Sequence, residues 1–236
     1  MSLKNKISSP ATSNQVLGME RAKERRRDAI FTAAEAMIRL SLGTDFSMNE
    51  LARSASVSTY TIYNLIGGKD IVFYSLLNRA IDQIESTRID RFGEGDALST
   101  IFGAADSVVA TFVNDAEFYR PLMRHLLGVP DPANRPLFMA RAFDFWWYAI
   151  APAAANEIFR DDVSIRALAR SIQIFFTGVT DFWVHGEVAD CVFREHVRYG
   201  VASFLLAAAK ETSLARLAAM MGDSMAVIDA AVARSR

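Results

Sequence analysis

Residues Ser47–Asp70 read SMNELARSASVSTYTIYNLIGGKD, and the spacing within them decides what the rest of the chain must be. Ser47-Met48-Asn49-Glu50 has the form of a capping box, in which the serine hydroxyl accepts from the Glu50 amide and the glutamate reaches back to the Ser47 amide. A helix therefore starts here. Met48, Leu51 and Ala52 fall at i, i+3 and i+4 as one buried stripe. Ser54-Ala55-Ser56 breaks that period, and Val57 closes a tight turn. Ser58 caps a second short helix whose apolar side is Ile62, Leu65 and Ile66. Thr59, Tyr60, Thr61, Tyr63 and Asn64 occupy its start and its outward face.

Two short helices joined by a tight turn, the second presenting hydroxyls, phenols and an amide, make a helix-turn-helix unit able to enter a DNA major groove. The run resembles the TetR family of bacterial transcription regulators. The resemblance is carried by Ser47, Leu51-Ala52, Ala55, Val57-Ser58, Thr61-Ile62-Tyr63 and Gly67-Gly68-Lys69-Asp70. These follow the family's T-x-x-x-I-A-x-x-A-G-V-S-x-G-T-L-Y-x-x-F-x-S-K-E in order and spacing. The chain departs from it at Ser56, where the family has a turn glycine, at Tyr60, where it has a small residue, at Leu65-Ile66 and at Gly68. Ser56 must then take a left-handed turn geometry that glycine adopts without cost. The resemblance implies a two-domain, all-α homodimer that binds double-stranded, palindromic operator DNA and is released by a small-molecule effector. Thr59, Tyr60, Tyr63 and Asn64 are expected at base edges, and Ser47, Ser58, Thr61 and Lys69 at the phosphate backbone.

Composition agrees with that frame. The 236 residues are 51% hydrophobic, with mean hydropathy +0.14, enough for a large core and too apolar for a disordered chain. The net charge of −1 conceals an asymmetry: residues 1–80 hold 11 Lys and Arg against 7 Asp and Glu, and residues 81–236 hold 15 against 20. The positive end carries the helix-turn-helix, where counterion release from phosphates needs it. A single cysteine, Cys191, excludes an intramolecular disulfide and a Cys-rich zinc site and points to the cytoplasm; beside Asp190 it reads as a buried or inert thiol. No segment reaches the roughly 20 apolar residues of a membrane span.

Residues 1–18 read as a disordered arm, 19–68 as the DNA-binding domain and 69–236 as a helical effector-binding and dimerisation domain. A first helix from Glu20 to Leu42 aligns Ile30, Ala33, Ala34, Met37 and Ile38, with Gly43 as its stop. Arg25-Arg26-Arg27 near its start reads either as a solvated charge run or as a phosphate contact. After Gly67-Gly68, Lys69 opens a helix to about Arg88 that buries Ile71, Phe73, Leu76, Leu77, Ile81 and Ile84 and links the two domains. Turn signals at Gly93 and Gly95, Asn114-Asp115, Gly128–Pro132, Asn156–Asp162, Gly186–Asp190 and Gly222-Asp223 separate helices at about 96–113, 115–127, 134–156, 162–185 and 190–211, with a short tail from 213. Pro121, Pro136 and Pro152 mark helix starts or kinks.

The helices 162–185 and 190–211 are apolar on broad faces. The stripe Phe193, Val197, Gly200, Val201, Phe204, Leu205 and Ala208 exceeds what one subunit is expected to cover, so these two helices are assigned to a two-fold interface; a tail helix Leu214–Met221 covering the stripe is the alternative. Residues 101–183 are dense in aromatic side chains, which at helical spacing form core or enclose an apolar cavity. Phe112, Tyr119, Phe143, Trp147, Tyr148, Gln173, Phe176 and Trp183 are the expected ligand contacts, of which Gln173 shares a helix face with Thr177 and Asp181. There is no G-x-S-x-G, H-E-x-x-H, Gly-rich phosphate loop or C-x-x-C, and His125, His185 and His196 are scattered, so no catalytic residue, metal or cofactor is expected. Two other readings remain open: an effector-free DNA-binding or partner-docking dimer, and a helical carrier or enzyme with a vestigial helix-turn-helix.

Overall fold

The computed structural model describes residues 10–91, 96–155 and 158–234, and the chain divides into two compact units, Met1–Phe73 and Tyr74–Arg236. The first unit holds α1 (Pro10–Ser41), α2 (Met48–Ser54), α3 (Thr59–Leu65) and the first residues of α4 (Lys69–Arg91). Its core joins Ile30, Ala33, Ala34 and Ile38 of α1 to Leu51, Ala52 and Ile62, closed by Phe46 set edge-on against Phe73 at 5.7 Å. The start of α1 departs from the sequence reading, which placed residues 10–18 in an arm. Pro10 suits a first helical position, whose amide would be unbonded anyway, and Gly18 is passed at the cost of one weak helix former. Residues 1–9 lie outside the described residues.

The end of α1 also differs. Leu42, rather than Gly43, takes the left-handed conformation with φ 51°. The Ser41 hydroxyl beside it donates to the carbonyls of Met37 and Gly43, satisfying groups the helix end leaves open. Between α2 and α3 the turn has the expected strain at Ser56, φ 54°. It is held by hydrogen bonds from the Ala55 amide to the Leu51 carbonyl and from the Val57 amide to the Ala52 carbonyl. Gly67, φ 126°, ends the unit's last turn, and a Cβ there would meet Ile71 Cδ1 at 2.5 Å. On α4, Val72 is buried where Ile71 was expected; Ile71 is exposed.

The second unit contains the rest of α4 with α5 (Ala97–Asn114), α6 (Ala116–Gly128), α7 (Arg135–Ala155), α8 (Ile165–Val184), α9 (Asp190–Ala208) and α10 (Glu211–Arg234). Among the described residues the one strand-like pairing is an isolated bridge, Phe159 with Ala209. Gly93, Gly95 and Asn156, expected in turns, lie outside the described residues. Pro136 sits in the first turn of α7, while Pro121 and Pro152 lie inside α6 and α7. By length and composition α5 is apolar enough to cross a membrane, unlike the sequence reading, and half of it is buried among the unit's own helices.

Two expectations about the last helices fail. The tail is a 24-residue helix, because the alanine-rich run around Gly222-Asp223 outweighs the roughly 1 kcal/mol that one glycine costs. This α10 lies along α9, with Ser224 Oγ donating to Glu195 at 2.9 Å and Ser203 Oγ reaching Met221 Sδ. Phe193, Val197, Gly200, Val201, Leu205 and Ala208, on the other side of α9, are buried within one chain, with Phe193 stacked on Phe176 and Trp183 of α8, so the argument that a single subunit could not cover this stripe does not hold. Gly200 faces the ring of Phe175 on α8. At the other end of α10, Arg216 forks both oxygens of Asp96, the N-cap of α5, and this holds the Asp96 carboxyl well below the usual carboxylate range.

Candidate nucleic-acid interface and apolar cavity

The capping box of α2 is complete: the Ser47 hydroxyl accepts from the Glu50 amide at 3.2 Å, and the Ser47 amide donates to Glu50 Oε2 at 2.7 Å. The Ser47 amide and the Ser47 hydroxyl both donate to the Glu50 carboxylate and lower its pKa. Ser58 caps α3 through the Thr61 amide at 3.1 Å, and its hydroxyl pairs with that of Thr61. The Thr59 hydroxyl donates to Asn49 Oδ1 at 2.8 Å and so ties α3 to α2. Four of the expected contact residues thus have their oxygens engaged in building the motif. Tyr60 and Tyr63 are 78% and 55% exposed, and Asn64 is exposed beside them. Lys69 lies with Nζ 5.2 Å from the Phe46 ring and 5.7 Å from that of Phe73, which orients its ammonium group.

One contributor was missed in the sequence. Arg27 Nε donates to the Leu65 carbonyl at 3.1 Å, filling an acceptor that the end of α3 leaves open. The Arg25-Arg26-Arg27 run is thereby divided: Arg27 turns back onto α3, and Arg25 and Arg26 are exposed on α1.

In the second unit a narrow cavity of about 60 Å³ lies between five helices. α4 contributes Leu77, Ala80, Ile81 and Ile84; α5 Val108 and Phe112; α6 Met123 and Leu126; α7 Phe138, Met139, Ala142, Phe145 and Trp146; α8 Gln173, Phe176, Thr177 and Thr180. Its three polar side chains turn their polar atoms onto other groups of the chain. Gln173 Nε2 donates to the Met139 carbonyl at 2.7 Å and its Oε1 accepts from Arg170, while the Thr177 and Thr180 hydroxyls donate to carbonyls one turn back. What faces the space is hydrocarbon.

Of the eight residues proposed as ligand contacts, Phe112, Gln173 and Phe176 line this cavity and five do not. Trp183 is fully buried against Phe112 and Phe193, with its indole N–H donating to Asp190 at 2.7 Å under the Arg120 guanidinium. Tyr119 is buried between Phe112 and Phe118. Phe143 is buried and stacks on Trp147 away from the cavity wall, and Tyr148 is 58% exposed. The α4 side of the cavity was missed, although its residues had been read as a buried face.

No family model matches the sequence, and no curated protein does. Solved structures do. A full-length TetR regulator, TylP from Streptomyces fradiae, is similar over 92% of this chain and 94% of its own, with 18% identity and a TM-score of 0.62. FadR from Thermus thermophilus, a TetR-family repressor crystallised with lauroyl-CoA, shows 18% identity and a TM-score of 0.61 over 76% of this chain and 93% of its own. NalD from Pseudomonas aeruginosa, the secondary repressor of the MexAB-OprM efflux pump, shows 16% identity and a TM-score of 0.58 over 80% and 98%. With an N-terminal helix-turn-helix followed by a larger helical unit, the chain has the fold of the TetR-family transcriptional regulators.

Proposed function

We propose that the chain is a DNA-binding transcriptional regulator, acting as a repressor released from a palindromic operator by a small apolar molecule. The observation that carries the reading is the division of labour on α3. The hydroxyls of Ser58, Thr59 and Thr61 hold the helix, and Tyr60, Tyr63 and Asn64 stand outward with groups available to base edges. Asn is suited to bidentate contact with adenine. The effector half of the proposal draws on the cavity, because four residues of α4 form part of its wall and α4 begins at Lys69, directly after the motif.

Operator reading by two copies requires a homodimer whose recognition helices match a spacing of about 34–36 Å or a multiple of it. With the α9 stripe covered internally, the face that supports this assembly is the outer side of α8, where Ile174 and Phe182 are 65% and 52% exposed on either side of Gly178. A regulator of this kind works in the cytoplasm. The test is a mobility shift at moderate salt against DNA flanking the chain's own gene, in excess random duplex. A retarded band that resists the competitor, and weakens when a bound apolar effector is added, is expected. Absence of any sequence-selective shift would overturn the DNA-binding reading; a shift indifferent to cell extract would leave the effector-free dimer.

A further inference from the structure

The reading helix α3, TYTIYNL from Thr59 to Leu65, carries no charged side chain. Guanine presents two acceptors in the major groove and is read by a residue with two donors, Arg or Lys, while cytosine presents a donor and is read by Asp or Glu. None of the four is on α3. The nearest cations along the chain are placed elsewhere. Arg53 belongs to α2, the helix that crosses the backbone in this motif. The Lys69 ammonium, at the start of α4, rests on the rings of Phe46 and Phe73. Arg27, the cation that α1 brings to α3, donates to the Leu65 carbonyl.

What α3 presents instead is two rings and one amide. Tyr60, Tyr63 and Asn64 fall at i, i+3 and i+4, so they share one face, and all three are exposed. A single phenol hydroxyl bonds the N7 of either purine equally well and does not choose between them. Its ring packs on the one apolar group of the major groove, the C5-methyl of thymine. The Asn64 amide sets a donor beside an acceptor, which matches N7 and the amino group of adenine and mismatches the two acceptors of guanine. Thr59 and Thr61 have their hydroxyls paired with Asn49 and Ser58, so they add only methyls. We infer that the half-site under α3 is built of A·T pairs, recognised at thymine methyls by the rings of Tyr60 and Tyr63 and at adenine by Asn64. That assignment rests on the DNA-binding reading above and adds the class of base pair that the helix takes.

The test starts with the full chain, used to select duplexes from a randomised library. The selected site is then remade with deoxyuridine for thymidine, which removes only the C5-methyl, or with 7-deazadeoxyadenosine, which removes only the N7 acceptor. By anisotropy, at least one thymine in each half-site should show a loss of about fourfold as uridine, the worth of one buried methyl. One adenine should show a loss of about fivefold or more without N7. The uridine penalty should vanish in Y60A/Y63A and persist in Y60F/Y63F, which keep the rings; the deaza penalty should vanish in N64A. These three side chains lie outside the bonds that build the motif, and circular dichroism reports the fold of each variant. Selected half-sites whose invariant pairs are G·C overturn the assignment and leave the DNA-binding reading standing. So does a uridine penalty that is absent from the wild type or survives in Y60A/Y63A, or a deaza penalty that survives in N64A. Enrichment of no sequence at all overturns the DNA-binding reading and the assignment with it.

Discussion

Gly200→Ala tests whether the α9 stripe is internal core. A Cβ built at Gly200 would lie 2.7 Å from Cε2 of Phe175, with Cζ and Cε1 closer still, so the ring must move. Phe175 packs edge-on against Phe204 at 5.8 Å. Displacing it forfeits an aromatic pair worth about 0.5–1.5 kcal/mol and adds overpacking strain of roughly 1–3 kcal/mol. Alanine returns about 0.8–1.0 kcal/mol of helix propensity over glycine. The balance is a loss of about 1–3 kcal/mol, read as a lower urea midpoint with an unchanged slope. The decisive measurement is the double-mutant cycle: with Phe175→Ala already in place the obstruction is gone, and Gly200→Ala should become neutral or stabilising by up to about 1 kcal/mol. If Gly200→Ala costs the same in both backgrounds, and the cost depends on protein concentration, Gly200 meets a second copy and the intrachain account is wrong.

Asn64→Ala should relax preference at one operator position by about 1–3 kcal/mol, whereas Lys69→Ala should weaken specific and random DNA alike and flatten the salt slope by about one unit, both read by anisotropy over a salt series. Arg27→Ala removes the bond to the Leu65 carbonyl and should cost about 1 kcal/mol of stability in urea unfolding, with a loss of operator affinity greater than Arg25→Ala produces at matched salt. Asp96 and Asp106, shifted in opposite directions, should give opposite pH dependences. Asp96, with a folded pKa below its unfolded value, adds stability at neutral pH that disappears as pH falls below about 4, and Asp96→Asn should flatten that acid limb. Burial raises the Asp106 pKa despite Arg198 at 3.7 Å, so this group loses stability as pH rises through its folded value; Asp106→Asn should raise the urea midpoint at pH 7 relative to pH 4.

The helix-turn-helix was legible because each of its signals is local. A capping box needs four residues, and the Ser56 turn needs only its neighbours, so the sequence fixes φ and hydrogen bonds without reference to the rest of the fold. Helix ends were legible where a cap spoke, as at Ser58, and misread where glycine was taken as a stop. Gly222 sits in a helix because one weak residue cannot terminate a run of good formers, while the left-handed residue at the end of α1 is Leu42 and not Gly43, which was read as the stop. The covering of the α9 stripe by α8 was not legible in the same way. Amphipathic spacing states that a face is buried and is silent on whether a partner subunit or the chain's own α8 buries it.

The aromatic residues carry the same lesson into the candidate site. Periodicity selected Trp183, Tyr119 and Phe143 with Phe112 and Phe176, since all lie on inward faces, but an inward face has two possible neighbours: another side chain or empty space. Trp183 is the instructive case. Its stack with Phe193 is nearly parallel, with centroids 5.1 Å apart, and its N–H is held by an aspartate that itself receives Arg120. That ring is fixed at the joint of α6, α8 and α9 and has no freedom to receive a ligand. Beside Phe112 and Phe176 the neighbours toward α4 are instead Ala80 and the branched ends of Leu77, Ile81 and Ile84, which leave a gap where rings would have filled it. The small residue on the opposing helix, not the large ones on this side, places the cavity, and so the effector contacts are to be sought from Ala80 and Ala142 outward to Gln173.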